Sequence, residues 1–470
     1  MNQSINADLC IIGAGSAGLS VAAGAAQLGR NVVLIEKGEM GGDCLNYGCV
    51  PSKALLAAAA RAQAFRTSQK FGIAPAEPKV DFPAVMAHVR EVIDTIAPID
   101  SQERFEGLGV TVLRDHAEFT GERQVKAGAT LVDAKHIVIA TGSTPFVPPI
   151  DGLAETPFLT NETLFENTTL PEHLLVIGGG PIGVEMAQAH ARLGARVTLL
   201  EGAPTILGKD DPALVSILRD KLIEEGVTIL ENAAVEKVRR TDAGVAVIAG
   251  GNEIAGSHLL VAVGRRPNVE GLNLEAAGVA YDRKGVTVNA YLRTTNRRVY
   301  AIGDVAGGRQ FTHVAGYHAS ALVRTILFKA PTKNNEVIAP AVTYSDPELA
   351  QVGMTEAKAA EQGPIKTANW PFDENDRAQA ERNTIGLVKV VTKPNGEILG
   401  ASILGPGAGD LIQAWAYAIA NKQKIRSFTN MISPYPTRGE ANKRAAGAWY
   451  TPTLFSPRTR RLVSFLSTFD

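Results

Sequence analysis

Two cysteines, Cys44 and Cys49, stand five positions apart in a glycine-rich stretch, and the 470-residue chain contains only three cysteines. Thiols at this spacing could form a redox-active disulfide, supply half of a zinc site or be unrelated residues of the core. Cys10, the third cysteine, lies in an apolar run that predicts a buried strand, so we do not expect it to complete a zinc site. A core pair would have no reason to occupy a segment so rich in glycine. The redox-active disulfide is therefore the favoured interpretation.

The backbone around the two cysteines must be irregular for a disulfide to close. Residues five apart in a regular helix lie about 7.5 Å apart along its axis, whereas a disulfide requires Cα atoms within about 7 Å of each other. The alanine-rich stretch 51–64 predicts a helix just after the pair, and Gly48 gives the backbone before it the freedom to bend. A short, exposed bridge of this kind is easily reduced, and the positive end of the helix favours a thiolate.

A dinucleotide-binding fingerprint precedes the cysteine pair. The predicted order is a strand over residues 9–12, a glycine turn, a helix over 19–28 and a strand over 31–35 that ends at Glu36. In the turn, Gly13 permits the bend, Gly15 lets the backbone approach a pyrophosphate and Gly18 permits close helix packing. The helix N-terminus attracts phosphate groups. We therefore expect the cysteines to lie beside a bound nucleotide.

The same fingerprint recurs later in the chain. Its parts are a strand over residues 174–177, a turn, a helix over 184–193 and a strand over 195–200, and the turn reads Gly178-Gly179-Gly180-Pro181-Ile182-Gly183. In both copies the acid, here Glu201, follows the third glycine by 18 residues. Two fingerprints predict two dinucleotides, the first beside the cysteines holding the redox cofactor and the second holding the nicotinamide. Glu201 suits the free 2′-hydroxyl of NAD and would repel the 2′-phosphate of NADP, so NADH is preferred over NADPH.

The composition limits the class of protein. The net charge of -1 argues against a nucleic-acid partner, and a length of 470 residues favours about three domains. Neither a signal peptide nor an apolar run of about 20 residues is found, and a secreted disulfide scaffold would use more cysteines. These observations predict a cytoplasmic protein.

The stretch 41–53, Gly-Gly-Asp-Cys-Leu-Asn-Tyr-Gly-Cys-Val-Pro-Ser-Lys, resembles the active-site signature of the class I pyridine nucleotide-disulfide oxidoreductases. Shorter motifs in the order of that family follow at residues 140–142 (Ala-Thr-Gly), 263–267 (Val-Gly-Arg-Arg-Pro) and 301–304 (Ala-Ile-Gly-Asp). The resemblance implies an α/β chain with two Rossmann-like domains, for FAD and NAD, and a C-terminal α+β dimerisation domain. The expected boundaries are 1–150 and 271–340 for FAD, 151–270 for NAD and 341–470 for dimerisation in a homodimer.

The resemblance also implies roles for individual residues. Asp304 matches the residue that binds the ribityl chain of the flavin, Lys53 the lysine near flavin N5, and Glu185 the ion-pair partner of that lysine. Electrons would pass from NADH through FAD to Cys49, and Cys44 would then attack the substrate as a thiolate; in lipoamide dehydrogenase the flow is reversed. No metal site is expected. The expected cofactor-binding residues are Gly13, Gly15, Ser16, Ala17, Gly18, Glu36, Lys37, Gly42, Ala117, Thr141, Gly142, Gly303, Asp304, Ala315, Gly178, Gly180, Pro181, Ile182, Gly183, Glu201 and Gly264.

One departure from the family concerns the general base. In its disulfide-reducing members a histidine of the partner subunit, with a glutamate five residues on, has this role. Here Glu440 is present but Tyr435 takes the place of the histidine. A phenol, which titrates near pH 10, is a poor base at neutral pH compared with an imidazole near 6.5. Tyrosine here is similar to mercuric reductase, yet the C-terminal cysteine pair of mercuric reductase is absent from residues 457–470.

The expected function is therefore that of an NADH-dependent, FAD-containing oxidoreductase whose acceptor is a disulfide, a metal ion or another small oxidant. Dihydrolipoyl dehydrogenase and a mercuric-reductase-like metal reductase are the alternatives, and a flavin-bound redox sensor is an alternative of another class. Tyr435 is either a hydrogen-bond donor or a packed interface residue. His313 and His318 are expected to pack near the flavin, and the tail 457–469 to pack against the dimer rather than a membrane.

Overall fold

The N-terminal region carries the first fingerprint and the cysteines, in a computed structural model that describes residues 3–469. Its strands are Gln3–Ile12 (β1), Val32–Ile35 (β2), Thr111–Leu113 (β3), Ala117–Phe119 (β4), Gln124–Ala127 (β5), Thr130–Ile139 (β6) and Ser143–Pro145 (β7). Its helices are Ser16–Gln27 (α1), Gly42–Asn46 (α2), Cys49–Arg66 (α3), Phe82–Asp100 (α4) and Gln102–Gly107 (α5), with a 3-10 turn at Ser68–Phe71. The sheet has the order β3-β2-β1-β6-β5-β4, and β1 pairs in parallel with β2 and β6. This arrangement brings the ends of β1 and β2, and with them the fingerprint turn, to one edge of the sheet.

The middle region carries the second fingerprint on a sheet of its own. Its elements are Asn161–Leu164 (α6), His173–Ile177 (β8), Pro181–Leu193 (α7), Arg196–Leu200 (β9), Pro212–Glu224 (α8), Val227–Leu230 (β10), Val235–Thr241 (β11), Gly244–Ala249 (β12), Asn252–Gly256 (β13), His258–Val261 (β14) and Arg265–Pro267 (β15). The parallel sheet has the order β10-β9-β8-β14, and β11-β12-β13 form an antiparallel sheet. Strand β15 pairs with β7, which ties this region back to the first.

The chain then returns to the first sheet. The elements of this segment are Tyr281–Asp282 (β16), Gly285–Val286 (β17), Val299–Ala301 (β18) and Thr312–Leu327 (α9), with 3-10 turns at Leu274–Ala277 and Gly303–Ala306. Strand β18 pairs in parallel with β6, and α9 packs on α1. Residues more than 150 positions apart therefore form one layer, and the turn after β18 reaches the same sheet edge as the first fingerprint.

The C-terminal region is an antiparallel sheet covered by helices. Its elements are Ala341–Thr343 (β19), Glu348–Gly353 (β20), Glu356–Ala360 (α10), Lys366–Pro371 (β21), Asp376–Ala380 (α11), Leu387–Thr392 (β22), Ile398–Gly405 (β23), Ala408–Ala420 (α12), Arg426–Asn430 (α13), Glu440–Leu454 (α14) and Pro457–Leu466 (α15), with 3-10 turns at Glu336–Ile338 and Phe372–Glu374. The strand order is β19-β20-β23-β22-β21. Trp415 is fully buried, and its ring stacks on that of Phe428 with centroids 3.8 Å apart. These observations confirm the expected α/β fold class with an α+β C-terminal region; the domain boundaries stay a prediction.

Three helices begin earlier than the sequence patterns indicate. Helix α1 begins at Ser16 rather than 19, α3 at Cys49 rather than 51, and α7 at Pro181 rather than 184. In α3 and α7 the first turn contains a proline, which is tolerated there because the first backbone N–H groups of a helix have no partner within it. The expected helix starts were therefore wrong by two or three residues, and Cys49 is the first residue of its helix.

The two fingerprints share one detail of packing. A Cβ atom on Gly18 would overlap the carbonyl oxygen of Gly13, and a Cβ atom on Gly183 would overlap that of Gly178 in the same way. Glycine is therefore the residue that lets each helix approach its own strand-to-helix turn. The two fingerprints therefore share the same close packing of helix against turn as well as the same sequence pattern.

Candidate active site

The cysteine pair lies across a break between two helices. Cys44 is in α2, Cys49 opens α3, and Tyr47 and Gly48 separate the two helices with non-helical backbone. Both residues are thiols in this structure, as is the buried Cys10. The Sγ atom of Cys49 lies 3.2 Å from the Oγ1 atom of Thr312, at the start of α9. The break provides the irregular backbone that the spacing requires.

The two thiols differ in their affinity for a proton. A hydrogen bond from Cys44, a second from Thr312 and the charge of Lys53 outweigh burial and lower the pKa of Cys49 to about 6. The same bond to Cys49, together with burial, raises the pKa of Cys44. At neutral pH the reduced pair therefore holds a thiolate at Cys49 and a proton at Cys44, so Cys44 must lose that proton before it can attack a substrate.

Lys53 is held over the site by an ion pair that joins three regions. Its Nζ atom lies 2.8 Å from Oε2 of Glu185 on α7 and 4.3 Å from the centroid of the Tyr344 ring. Glu185, whose side chain is 6% exposed, also accepts a hydrogen bond of 2.9 Å from the backbone N–H of Tyr344. The structure thus brings together the two residues that the resemblance pairs, although they are 132 positions apart.

A cavity of about 1050 Å³ runs from the first fingerprint past the cysteines to Tyr344. Most of the residues expected at the site line it, namely Gly13, Gly15, Ser16, Ala17, Glu36, Lys37, Gly42, Cys44, Cys49, Lys53, Ala117, Thr141, Gly142, Pro181, Ile182, Glu185, Gly303, Asp304 and Ala315. The other expected residues lie outside its lining, namely Gly18, Gly178, Gly180, Gly183, Glu201, Gly264, Tyr435 and Glu440. The first fingerprint, the cysteines and the start of α7 therefore face one space.

The shape of this cavity fits a dinucleotide such as FAD. A Cβ atom on Gly42 would lie 2.7 Å from the Cα atom of Gly15, so two bare glycine backbones form a narrow wall where the fingerprint predicts a pyrophosphate. The N-terminus of α1 begins at this wall and offers unpaired backbone N–H groups to phosphate. The residues present would therefore hold the phosphates of the group that the fingerprint predicts.

The acids that close the two fingerprints are fixed in the same manner. Glu36 accepts hydrogen bonds of 2.6 and 2.7 Å from the backbone N–H groups of Ala14 and Gly38. Glu201 accepts two of 2.7 Å each from Gly179 and Ala203. Each carboxylate therefore ties its own glycine turn to the loop that follows the second strand.

A polar network in the wall of the cavity was not predicted from the sequence. Ser143 donates a hydrogen bond of 2.6 Å to Asp304 and accepts one of 2.7 Å from Arg265. Arg265 also forms a 3.0 Å ion pair with Asp43, the neighbour of Cys44, and Asn161 donates to the same carboxylate at 3.0 Å. Arg265 belongs to the motif 263–267, which supports the family resemblance. That motif could have indicated Arg265 as a site residue, but only Gly264 was expected there.

His318 does more than pack. It is 1% exposed, and its Nδ1 atom accepts a hydrogen bond of 3.1 Å from the backbone N–H of Gly303, next to Asp304. Its Nε2 atom lies 2.9 Å from Glu336, and despite burial the hydrogen bonds to His318, Arg309 and Asn334 lower the pKa of Glu336 to about 2. The expectation of a packing residue is therefore incomplete, because His318 holds the Gly303 turn. The Nε2 atom of His313 lies 2.8 Å from the carbonyl oxygen of Pro340.

Tyr435 and Glu440 lie in the C-terminal region, away from the cavity of their own chain. Tyr435 is 68% exposed and donates a hydrogen bond of 2.9 Å to Asp376, which raises the pKa of the phenol. Glu440 opens α14 and forms an ion pair of 2.8 Å with Arg444. Their contribution to the site of a partner subunit, which the resemblance implies, stays a prediction.

Residues 3–469 contain no cluster of three or more histidine, cysteine, aspartate or glutamate side chains placed to hold a metal ion. Within the same residues, every helix is too short or too polar to cross a membrane.

Comparison with known proteins agrees with this site. The profile of the family described as "Pyridine nucleotide-disulphide oxidoreductase" matches residues 7–319, and that of the family's dimerisation domain matches residues 339–446. A mercuric reductase of Streptomyces lividans is 37% identical over 93% of this chain and 95% of its own. A dihydrolipoyl dehydrogenase of Geobacillus stearothermophilus is 34% identical over 94% of this chain and 96% of its own.

A solved structure is similar over nearly the same length. It is the Cu(II) complex of RclA, an HOCl-induced flavoprotein disulfide reductase of Escherichia coli. Its TM-score is 0.85 at 28% identity, and the match covers 95% of this chain and 99% of the RclA chain. The thiol pair, the two fingerprints and these matches lead to one conclusion: the chain belongs to the pyridine nucleotide-disulphide oxidoreductase family.

Proposed function

We propose that the protein takes electrons from NADH, through FAD, and passes them by way of Cys49 and Cys44 to a small oxidant other than an ordinary disulfide. The observation that carries this proposal is the position of the thiol pair: Cys49, whose pKa is lowered by Cys44, Thr312 and Lys53, lines the cavity that also contains the first fingerprint. FAD, when bound, would accept two electrons from NADH as a hydride and would reduce the disulfide with them. Asp304 and the Gly15–Gly42 wall would hold it.

The protein side of the reaction involves few groups. Lys53, held by Glu185, keeps a positive charge beside Cys49. When one two-electron oxidant or two cupric ions are reduced, an S–S bond forms between Cys44 and Cys49, the Cys44 proton is released and the two electrons go to the oxidant. The oxidants with which the enzyme can react therefore depend on which group accepts the Cys44 proton.

Tyr435 is the reason to expect an acceptor that is not a disulfide. Disulfide exchange requires a base that takes the Cys44 proton and returns it to the leaving thiolate, and the raised pKa of Tyr435 makes it unsuited to that task at neutral pH. Reduction of a metal ion produces no leaving thiolate, so no proton has to be returned to the substrate. The similarity to mercuric reductases and to an RclA solved with Cu(II) supports a metal ion as a substrate class.

Dihydrolipoyl dehydrogenase activity is the second candidate, favoured by identities of 33–35% to several such enzymes. Under this alternative Glu440 or water would act as the base in place of the missing histidine. A flavin-bound redox sensor with little turnover is the third candidate, and nothing specific in the site favours it.

The test is an acceptor screen on the purified holoenzyme. NADH oxidation is followed with mercuric ion, cupric ion, quinones, lipoamide and glutathione disulfide, in the wild type, in Cys44→Ser and in Cys10→Ser as a matched control. We expect turnover with a metal ion or quinone that falls at least about tenfold in Cys44→Ser and stays unchanged in Cys10→Ser. Faster turnover with lipoamide than with every other acceptor would overturn the proposal in favour of the second candidate, and flavin reduction without turnover would favour the sensor.

The nicotinamide preference belongs to the same proposal. Glu201 places a carboxylate at the end of β9, and residues 202–204 supply no cation for a 2′-phosphate. We expect kcat/KM for NADH to exceed that for NADPH by about tenfold or more. Equal values for the two coenzymes would contradict this part of the proposal.

A further inference from the structure

The last helix of the described chain, α15, is covered by nothing in its own chain. It spans Pro457–Leu466, and none of its residues is buried. Four large apolar residues follow one another at helical spacing along one side, and each is more than half exposed, namely Leu462, Phe465, Leu466 and Phe469. Leu454 and Phe455, just before the helix, are exposed to a similar degree. An apolar surface this continuous indicates that something covers it when the protein is in its working environment.

The charges of this segment are all of one sign. From residue 441 to residue 469 the chain contains five basic side chains and no acidic one, although the whole protein has 47 basic and 48 acidic residues. In the helix, Arg460, Arg461 and Ser464 share one side, whereas Leu462, Phe465 and Leu466 lie on the other, with Arg458 one turn before Leu462. A surface that is complementary to both sides of this helix must present apolar groups and anionic groups next to each other.

Two occupants could cover this helix, a second copy of the chain or an anionic lipid surface. The family's dimerisation profile ends at residue 446, before the helix begins. A protein surface that received Arg458, Arg460 and Arg461 would also need acidic partners. These observations favour lipid over a second copy.

We propose that α15 binds in the plane of a membrane that carries anionic phospholipids. A helix of ten residues is about 15 Å long, half the thickness of a bilayer core, so it can lie at the interface but not cross it. Its leucine and phenylalanine side chains enter the acyl boundary, and the arginines contact lipid phosphates. The homodimer that the dimerisation region implies presents two such helices, and two weak contacts on one surface strengthen each other.

The experiment uses the full-length holoenzyme and flotation with vesicles. Vesicles of phosphatidylcholine alone are compared with vesicles that also contain phosphatidylglycerol. We expect the protein to float with the anionic vesicles and about tenfold less with the neutral ones, and high salt to weaken binding. Leu462→Ser with Leu466→Ser, and Arg460→Ser with Arg461→Ser, should each abolish flotation. Arg297→Ser with Arg298→Ser, another exposed pair of neighbouring arginines, is the matched control and should float like the wild type.

Light scattering and turnover separate the outcomes. Dimer mass and turnover with a soluble acceptor should be the same in all variants, because no residue of the helix lines the cavity and none of the substituted side chains is buried. Absence of flotation of the wild type with anionic vesicles would overturn the proposal. A loss of dimer mass in Leu462→Ser with Leu466→Ser would overturn it too, because a second copy would then be the occupant. The result does not depend on which oxidant the enzyme reduces.

Discussion

The charge on Cys49 depends on residues from distant parts of the chain. Cys44 is five positions away, Lys53 four, and Thr312 lies 263 positions away, at the start of α9. The irregular backbone between the two cysteines could be predicted from their spacing, because a disulfide cannot close across a regular helix. The start of α3 was expected at residue 51 and lies at Cys49, because proline is tolerated within the first turn of a helix. The hydroxyl of Thr312 could not be predicted, because its contact with Cys49 arises only when the second FAD segment folds back on the first.

Thr312→Val is predicted to weaken the acidity of Cys49. Loss of one hydrogen bond to a thiolate should raise its pKa from about 6 to about 7. Since the pKa in the folded state is lowered, the thiolate exists above that pKa and is lost as the pH falls through it. Thr312→Val should therefore be half protonated at neutral pH, where the wild type is mostly ionised.

The measurement is the pH dependence of iodoacetamide alkylation at Cys49 in the reduced protein, followed by peptide mass spectrometry. Thr325→Val, in the same helix but bonded to the carbonyl oxygen of Ala321, is the control and should leave the profile unchanged. An unshifted profile in Thr312→Val would show that this hydroxyl does not stabilise the thiolate.

Tyr435→His should increase turnover with lipoamide or glutathione disulfide. An imidazole would provide the base that the phenol lacks, and general-base catalysis contributes about 100-fold or more. Steady-state rates at neutral pH check this, with Tyr281→His as control, since Tyr281 is also an exposed tyrosine that donates to a carboxylate. Unchanged disulfide turnover in Tyr435→His would refute the proton-transfer argument.

Among the secondary-structure elements, the repeats were predictable and the contacts between them were not. Two glycine turns with an acid at the same distance define β1-α1-β2 and β8-α7-β9, because a strand, a tight turn and a helix N-terminus need those residue types. The short turn Gly303–Ala306 was known only as a motif. Its support by His318 and Glu336 joins α9 to the segment that leads into the C-terminal region.

His318→Ala is predicted to weaken FAD retention more than it weakens the fold. It leaves the N–H of Gly303 without an acceptor, at a cost of about 1–3 kcal/mol, and frees the turn that carries Asp304. The dissociation constant of FAD and the urea midpoint of the apoprotein are the two measurements. His190→Ala, at an equally buried histidine in α7, should lose stability without weaker FAD binding. Equal effects of both variants on FAD would contradict a positioning role for His318.

On the scale of the whole molecule, ion pairs fix the middle region against the C-terminal one. Arg192 on α7 contacts Glu225 at 2.7 Å and Asp346 at 2.9 Å, and Lys389 on β22 contacts Asp211 at 2.8 Å. The arrangement of domains could be expected from the order of motifs and the family resemblance. These pairs could not, since charged residues at such positions look like ordinary surface residues in a sequence.

Arg192→Met should destabilise the protein by about 3 kcal/mol, because it leaves the carboxylate of Glu225, 4% exposed, without its main partner. The free energy of unfolding in urea measures this effect. Arg239→Met removes the exposed pair with Glu253 and should destabilise the protein much less than Arg192→Met does, because solvent screens an exposed pair. Similar losses in both variants would show that burial of the Arg192 pair has no special weight.

The way in which Glu201 is held has a practical consequence for redesign. Both oxygens of its carboxylate are already engaged by the main chain on either side of the coenzyme fingerprint, at Gly179 and Ala203. An arginine in place of Glu201 could attract a 2′-phosphate, but it would also remove the two hydrogen bonds that Glu201 accepts from Gly179 and Ala203. Under the proposed NADH preference, conversion to NADPH therefore calls for a grafted loop, and a point mutant at Glu201 is expected to lose NADH before it gains NADPH.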